Sequence, residues 1–233
     1  MKWFLPVIAW LILCSPAHAA PPGSVQASYE IFSSGMKIGQ IDETYVRSKD
    51  RYTLTSTTTP LGLLAVFKPG KNFLNSSGLV EKQGLRPQHF EQRREGSPDK
   101  NSQAEFDWAA RKLTLTHQAQ RTPLALPTGT QDRLSAMYQF MFLQLESNST
   151  LNFAMTNGNK LDNYHYAIGS RQKIDTPAGQ FDSLYLDSQG KPGENRTEIW
   201  LSTQEYNLPC KMIITDANGD QFTQILSKLH ITP

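Results

Sequence analysis

Short runs in which apolar and polar residues alternate recur along most of this chain, and they commit it to a β architecture. Tyr52-Thr53-Leu54-Thr55, Lys112-Leu113-Thr114-Leu115-Thr116 and Leu151-Asn152-Phe153-Ala154-Met155 all have a period of two. That period sends one set of side chains into a core and the other into water, as in a sheet with one solvated face. Turn chemistry separates the runs. Ser33-Ser34-Gly35, Asn157-Gly158, Thr176-Pro177-Ala178-Gly179 and Asn218-Gly219 stand between them, and such residues accept the tight geometry of hairpins.

The spacing predicts a meander in two blocks. The first has strands near 25–33, 36–47, 51–58, 72–81, 86–95, 102–108 and 111–118. The second has strands near 150–156, 160–169, 171–176, 180–187, 195–202, 209–216 and 220–229. Between the blocks, Leu134, Met137, Tyr138, Met141 and Leu145 recur at three- and four-residue intervals. This stripe predicts one amphipathic helix over about 130–146, with Thr130 as N-cap and Asp132 in the first turn. Phe140 and Phe142 widen the stripe, so the helix should be buried on more than one side. The expected fold is mainly β: a large, strongly curved antiparallel sheet or open barrel, with this helix packed on its concave side.

The N-terminus reads as an export signal. Lys2 precedes an apolar run from Trp3 to Leu13, and Ala17-His18-Ala19 ends it with small residues. These are the three parts of a cleavable leader. The run is shorter than the roughly 20 residues that span a bilayer, and Pro6 and Pro16 bracket it. Lipidation at Cys14 is disfavoured because Leu13 before it is not small. The expectation is a leader over residues 1–19, one β-rich domain over 20–233, a periplasmic location, and no membrane span after cleavage.

Charge is balanced, with 23 Lys+Arg against 21 Asp+Glu. No dense basic block appears, which argues against a nucleic-acid partner. Once Cys14 leaves with the leader, Cys210 stands alone in the strand-like run Leu208-Pro209-Cys210-Lys211-Met212. It reads as a small buried apolar residue.

Motifs for chemistry are weak. His89, His117, His165 and His230 show no local metal-ligand spacing. Asp216-Ala217-Asn218-Gly219-Asp220 imitates the start of a calcium loop, but its glycine comes too early and no Glu closes it. A hairpin turn is expected there. There is no Gly-x-Ser-x-Gly elbow. Glu105 and Asp107 alternate along a strand and should face water. Gln131-Asp132-Arg133-Leu134-Ser135 is the densest polar cluster at a helix start; it could bind an anion or position a water, but capping alone explains Thr130 and Asp132. No metal or cofactor is expected. Pro60-Leu61-Gly62-Leu63-Leu64-Ala65-Val66-Phe67 is apolar without alternation, and Pro69-Gly70 follows it.

Several short motifs together resemble a known family. They are Tyr29 with Gly35 and Ile38-Gly39; Gly84-Leu85-Arg86-Pro87; Phe106-Asp107-Trp108; and Leu126-Pro127 with Gln131-Asp132 and Leu134-Ser135. Thr176-Pro177-Ala178-Gly179-Gln180-Phe181, Trp200-Leu201-Ser202 and Leu208-Pro209 complete the set. The chain resembles exported bacterial proteins grouped as domain of unknown function number 3108, over most of residues 25–230. The resemblance implies a periplasmic address in a Gram-negative cell and a curved antiparallel sheet. It carries no activity and no catalytic residue.

Two functional classes follow. The first is a non-enzymatic binding or chaperone-like envelope protein that holds a lipid, an acyl chain or a polypeptide segment on a concave apolar face, with an envelope protein as a further partner. Its ligand would meet a mobile flap of Leu61, Leu63, Leu64, Val66 and Phe67 near Met137 and Met141; the alternative is that this stretch is simply a plug sealing one end of the core. The second is a hydrolase of envelope glycan or lipid with strand-borne carboxylates.

Overall fold

The structure is a computed structural model that describes residues 21–67, 69–191 and 193–233. The leader and its cleavage point lie outside the described residues.

The first block is β1 (Ser24–Ser33), β2 (Met36–Ser48), β3 (Arg51–Pro60), the short helix α1 (Gly62–Phe67), β4 (Asn72–Glu81), β5 (Gly84–Arg94), β6 (Ser102–Asp107), β7 (Lys112–His117) and β8 (Gln120–Ala125). Then come β9 (Gln131–Asp132) and helix α2 (Ser135–Gln139). The rest is β10 (Thr150–Thr156), β11 (Leu161–Thr176), β12 (Gly179–Asp187), β13 (Arg196–Ser202), β14 (Leu208–Thr215) and β15 (Gln221–Thr232). All fifteen strands form one sheet, ordered β8-β7-β6-β5-β4-β3-β2-β1-β15-β14-β13-β12-β11-β10-β9. The two meanders are therefore seamed by β1 and β15, and β8 and β9 are the free edges. Only β9 pairs in parallel, with Met155 and Thr156.

The edges do not close on each other. Gln131 of β9 donates through Nε2 to the Leu85 carbonyl of β5 (2.9 Å). Ser102 of β6 donates to the Asn157 carbonyl in the β10–β11 turn (2.8 Å). The β9 edge thus tucks inside the sheet, and β6 to β8 run on past it. That overhang explains why β8 is exposed throughout. With no face to bury, β8 carries no alternation, and the sequence reading passed over it. Pro123 is tolerated because the strand lies at an edge.

Two other expectations need correction. The strands placed at 160–169 and 171–176 are one strand, β11, with a register shift between Ile168 and Arg171. Gly169-Ser170 reads as a break, but the sheet absorbs it as an irregularity. The helix predicted over about 130–146 shrinks to α2, followed by a single 3-10 turn at Phe140–Phe142. Leu134, not Thr130, holds the N-cap position, and ahead of it Oδ1 of Asp132 accepts from the Leu134 and Ser135 amides (2.9 and 2.8 Å). The Thr130 hydroxyl instead donates to the Pro127 carbonyl (2.8 Å). At the far end, Asn207 Nδ2 donates to the Phe140 and Leu143 carbonyls (3.3 and 3.2 Å). Those carbonyls are satisfied from outside, so the chain turns extended at Leu143.

The stripe is still buried on two sides. Leu134, Tyr138 and Met141 join the larger core cluster, under the first block. Phe140 joins the smaller one, under β11 to β13. Met137 packs against both. Each fully buried large side chain contributes about 1.5–3 kcal/mol, so this plug joins the two blocks despite its short helix. Among the described residues, no helix is long and apolar enough to cross a membrane.

Candidate functional site

Cross-strand partners share a face, and two adjacent rows define the concave side of the first block. One row is Tyr45, Leu54, Ser76, Phe90, Ala104 and Leu115. It is apolar except at Ser76, and there Asp132 arrives. Ser76 Oγ donates to Asp132 Oδ2 and is also bonded to Tyr52 Oη (3.0 Å). Asp132 is fully buried, and burial raises its pKa against the opposing effect of its hydrogen bonds to Ser76, Ser135 and Leu134.

The next row is Glu43, Ser56, Leu74, Gln92, Ser102 and His117. This row is polar at five of its six positions and fronts a hollow between the blocks. Glu43 Oε1 accepts from Ser56 Oγ and Oε2 from Tyr138 Oη, both at 3.1 Å. Desolvation pushes the Glu43 carboxyl up to about 7, while Ser56, Tyr138 and the charge of Arg133 pull it down. Glu43 nevertheless keeps partial solvent contact, and Arg133 is exposed although desolvation is the main cause that lowers its pKa. Each borders a wet recess walled by protein, Glu43 beside Asp42 and Lys228 and Arg133 beside Gln92 and Arg94. Exposure then governs how far their charges are screened.

At the opposite end of the strands, by the β4–β5 turn, lies an open groove of about 870 Å³. Met141, Phe142, Leu143 and Leu145 form its apolar wall, with Lys82, Arg171 and Tyr206 around it. Leu143 also borders a narrower slot of about 180 Å³, whose walls include Ala136, Phe140, Leu151 and Phe153. None of the slot's lining residues is titratable. Gln131 lines it too, is 4% exposed, and its Oε1 accepts no hydrogen bond from the described residues. A buried amide oxygen without a donor costs about 1–3 kcal/mol, so this slot suits a ligand that brings one.

The sequence-derived residues are only partly brought together. Met141 lines the groove, and Met137 stands behind it between the two core clusters. The segment from Leu61 to Phe67 sits elsewhere. Leu61 donates its amide to the Ile38 carbonyl (2.8 Å), and α1 packs on the start of β2, whereas Gln139 of α2 bonds to Gln83 and Leu85 at the β4–β5 turn. These are opposite ends of strands that are ten or more residues long. Val66 is 72% exposed; the side chains of Leu63, Leu64 and Phe67 lie outside the described residues. His165 is exposed and bonded to Asn152. Asp216 Oδ1 accepts from the Asn218 and Asp220 amides, which makes its loop a hairpin turn.

Glu43, Ser76 and the amide of Gln131 were missed as site residues. A signal existed for two of them. Glu43 interrupts the apolar positions Ile41 and Tyr45, and Ser76 interrupts Leu74 and Gly78, in register with buried neighbours.

Comparison places the chain among known folds. A crystal structure from Brucella abortus, described as a beta-barrel-like protein of domain of unknown function DUF1849, is similar to it with 12% identity and a TM-score of 0.55. The match covers 91% of this chain and 99% of that one. A candidate exported protein with YmcC-like fold from Bacteroides fragilis matches at 10% identity and TM-score 0.37, over 90% and 96% of the two chains, too distant to carry an argument. No curated protein matches the chain. The family described as "Protein of unknown function (DUF3108)" matches residues 26–227, and the chain belongs to that family.

Proposed function

We propose that this is a non-enzymatic, periplasmic binding or chaperone-like protein of the cell envelope, which holds an apolar chain in the groove beside Met141. The slot behind Leu143 carries the reading. Its apolar wall of Ala136, Phe140, Leu143, Leu151 and Phe153 faces a few neutral polar groups, Thr128, Gln131, Gln139 and Asn152; it bears no titratable group and keeps one buried acceptor, Gln131 Oε1, without a donor. Pockets that fix a ligand by shape and one or two polar groups have this make-up. At about 180 Å³ it has room for roughly six water-sized groups, enough for the end of an acyl chain or one side chain of a polypeptide. Met141 supplies an adaptable wall, with Met137 behind it. Residues 61–67 stand outside this site. The periplasmic address rests on the leader.

A hydrolase would need reachable carboxylates. Asp132 is enclosed by the core, both oxygens of Glu43 are held by protein hydroxyls, the exposed Glu105 and Asp107 border neither groove nor slot, and Glu146 stands on the groove with no second carboxylate in its lining.

Native mass spectrometry of protein purified from the periplasm tests the carrier reading, together with titration of a fluorescent fatty-acyl probe. Leu143→Asp, at the junction of groove and slot, should weaken the probe at least about tenfold with little change in melting temperature. A wild-type protein that carries no added mass and binds no probe would end the proposal.

A further inference from the structure

We propose that the hollow at the far end of β5 from the groove is an anion site, which takes a phosphate group through Arg94, Lys100 and Arg133. The cavity measures about 290 Å³. Its cations come from three separate elements: Arg94 from the end of β5, Lys100 from the Pro98–Lys100 turn, and Arg133 from the link between β9 and α2. Neutral polar groups complete the lining, with Gln92 and Ser102 on the sheet and Asn157 and Asn159 in the β10–β11 turn; the amide groups are the donors, since the Ser102 hydroxyl already donates to the Asn157 carbonyl.

No acid lines the cavity. Among the described residues, which include every Asp and Glu of the chain, none comes within ion-pair distance of Arg94, Lys100 or Arg133. The two carboxylates whose charges act on Arg133 are turned elsewhere: Asp132 toward Ser76 and its own helix, and Glu43 toward Ser56 and Tyr138; Glu95, next to Arg94 in the chain, accepts from the Lys71 amide. The Arg133 side chain makes one long contact among the described residues, from Nη1 to Gln92 Oε1 (3.5 Å). Burial chiefly depresses the Arg133 pKa and repulsion from Arg94 adds to it, while Tyr164, Glu43 and Asp132 act the other way without pairing with it.

Like charges that converge without a counter-charge are unfavourable, and an anion placed between them removes the cost. A phosphate fits better than a carboxylate. It offers more acceptor oxygens and up to two charges, and guanidinium forks match that geometry. His117 adds a further polar group at the rim. Its Nδ1 faces the Asn101 carbonyl (3.0 Å) and so must be the donor there, which leaves Nε2 for the cavity. The sequence showed no basic block because the three cations are 6 and 33 residues apart in the chain; the overlap of the sheet brings them together.

The site is separate from the groove, so the two can fail independently. Calorimetric titration at low salt with inorganic phosphate, with dodecyl phosphate below its micelle threshold, and with uncharged dodecyl maltoside tests it. Arg133→Gln and Arg94→Gln should each weaken phosphate binding about tenfold or more, and raised salt should do the same. Arg86→Gln, at the other end of β5 and paired with Glu81, should leave it unchanged. Affinity for inorganic phosphate identifies a free oxyanion; affinity for dodecyl phosphate alone identifies the headgroup of an amphiphile. Either supports the site. Failure of both phosphates to bind, or binding indifferent to Arg133→Gln and Arg94→Gln, overturns it, and dodecyl maltoside binding would then speak for the groove alone.

Discussion

Ser76 and Asp132 meet at the centre of the molecule, where the Ser76 hydroxyl donates to the Asp132 carboxylate between β4 and the entry to α2. They are 56 residues apart in the chain. The contact ties the inner edge of the sheet to a strand near the middle of the first block, and it starts the helix, because the other carboxylate oxygen takes the Leu134 and Ser135 amides.

Asp132→Ala should therefore be severe, about 3 kcal/mol or more, since it strands three buried donors at once. Asp132→Asn should cost much less. Its amide oxygen can still accept from the backbone, and the site already disfavours charge. Urea melts of the two variants would decide this, and equal losses would remove Asp132 from the centre of the argument.

Stability should fall as pH rises from about 4.5 to about 7. Burial raises the folded Glu43 carboxyl from its ordinary 4.5 to about 7, so the folded state binds more protons across that window. Its contribution is full below the unfolded pKa and lost as pH climbs through the folded one. Allowing for screening in the hollow, the change should be about 1–2 kcal/mol. The raised pKa of Asp132 acts in the same direction, whereas Asp187, lowered chiefly by its hydrogen bonds from Arg196, acts oppositely and only in more acidic solution. Glu43→Gln should flatten the slope between pH 5 and 8 in denaturant titrations.

Met141→Asp should cost at least about 2 kcal/mol, because it places an unpaired charge in the larger core cluster. Gln144→Glu, on an exposed position three residues on, should stay within about 0.5 kcal/mol. Comparable small losses for both would show that the plug is not packed as described.

Cys210 should resist thiol reagents in the native protein. It is fully buried, its Sγ lies 3.1 Å from Ser183 Oγ and donates to the Trp200 carbonyl at 3.3 Å, and burial raises its pKa. Cys210→Val should retain stability within about 1.5 kcal/mol. Ser183 keeps an acceptor in the Phe181 carbonyl (3.4 Å). Fast labelling before unfolding would contradict this burial.

Sequence alone determined the strands that bury one face, because alternation is a local record of burial: β1 to β7 and β10 to β15 all fall near the expected runs. It also determined the turns, the buried stripe of α2 and the burial of Cys210. Tertiary structure decided what depends on partners far along the chain. Asp132 rather than Thr130 starts the helix because Ser76 holds it, and Asn207 helps end it near Phe140. β8 is a strand only because β7 pairs with it. The flap and the methionines, both apolar and both plausible neighbours by composition, are separated because β3 and β4 carry the chain from one end of the sheet to the other. The cavity of Arg94, Lys100 and Arg133 forms because the sheet overlaps itself instead of closing. A period-two pattern specifies which face of a strand is buried, but it contains no record of how far a fifteen-stranded sheet will curl.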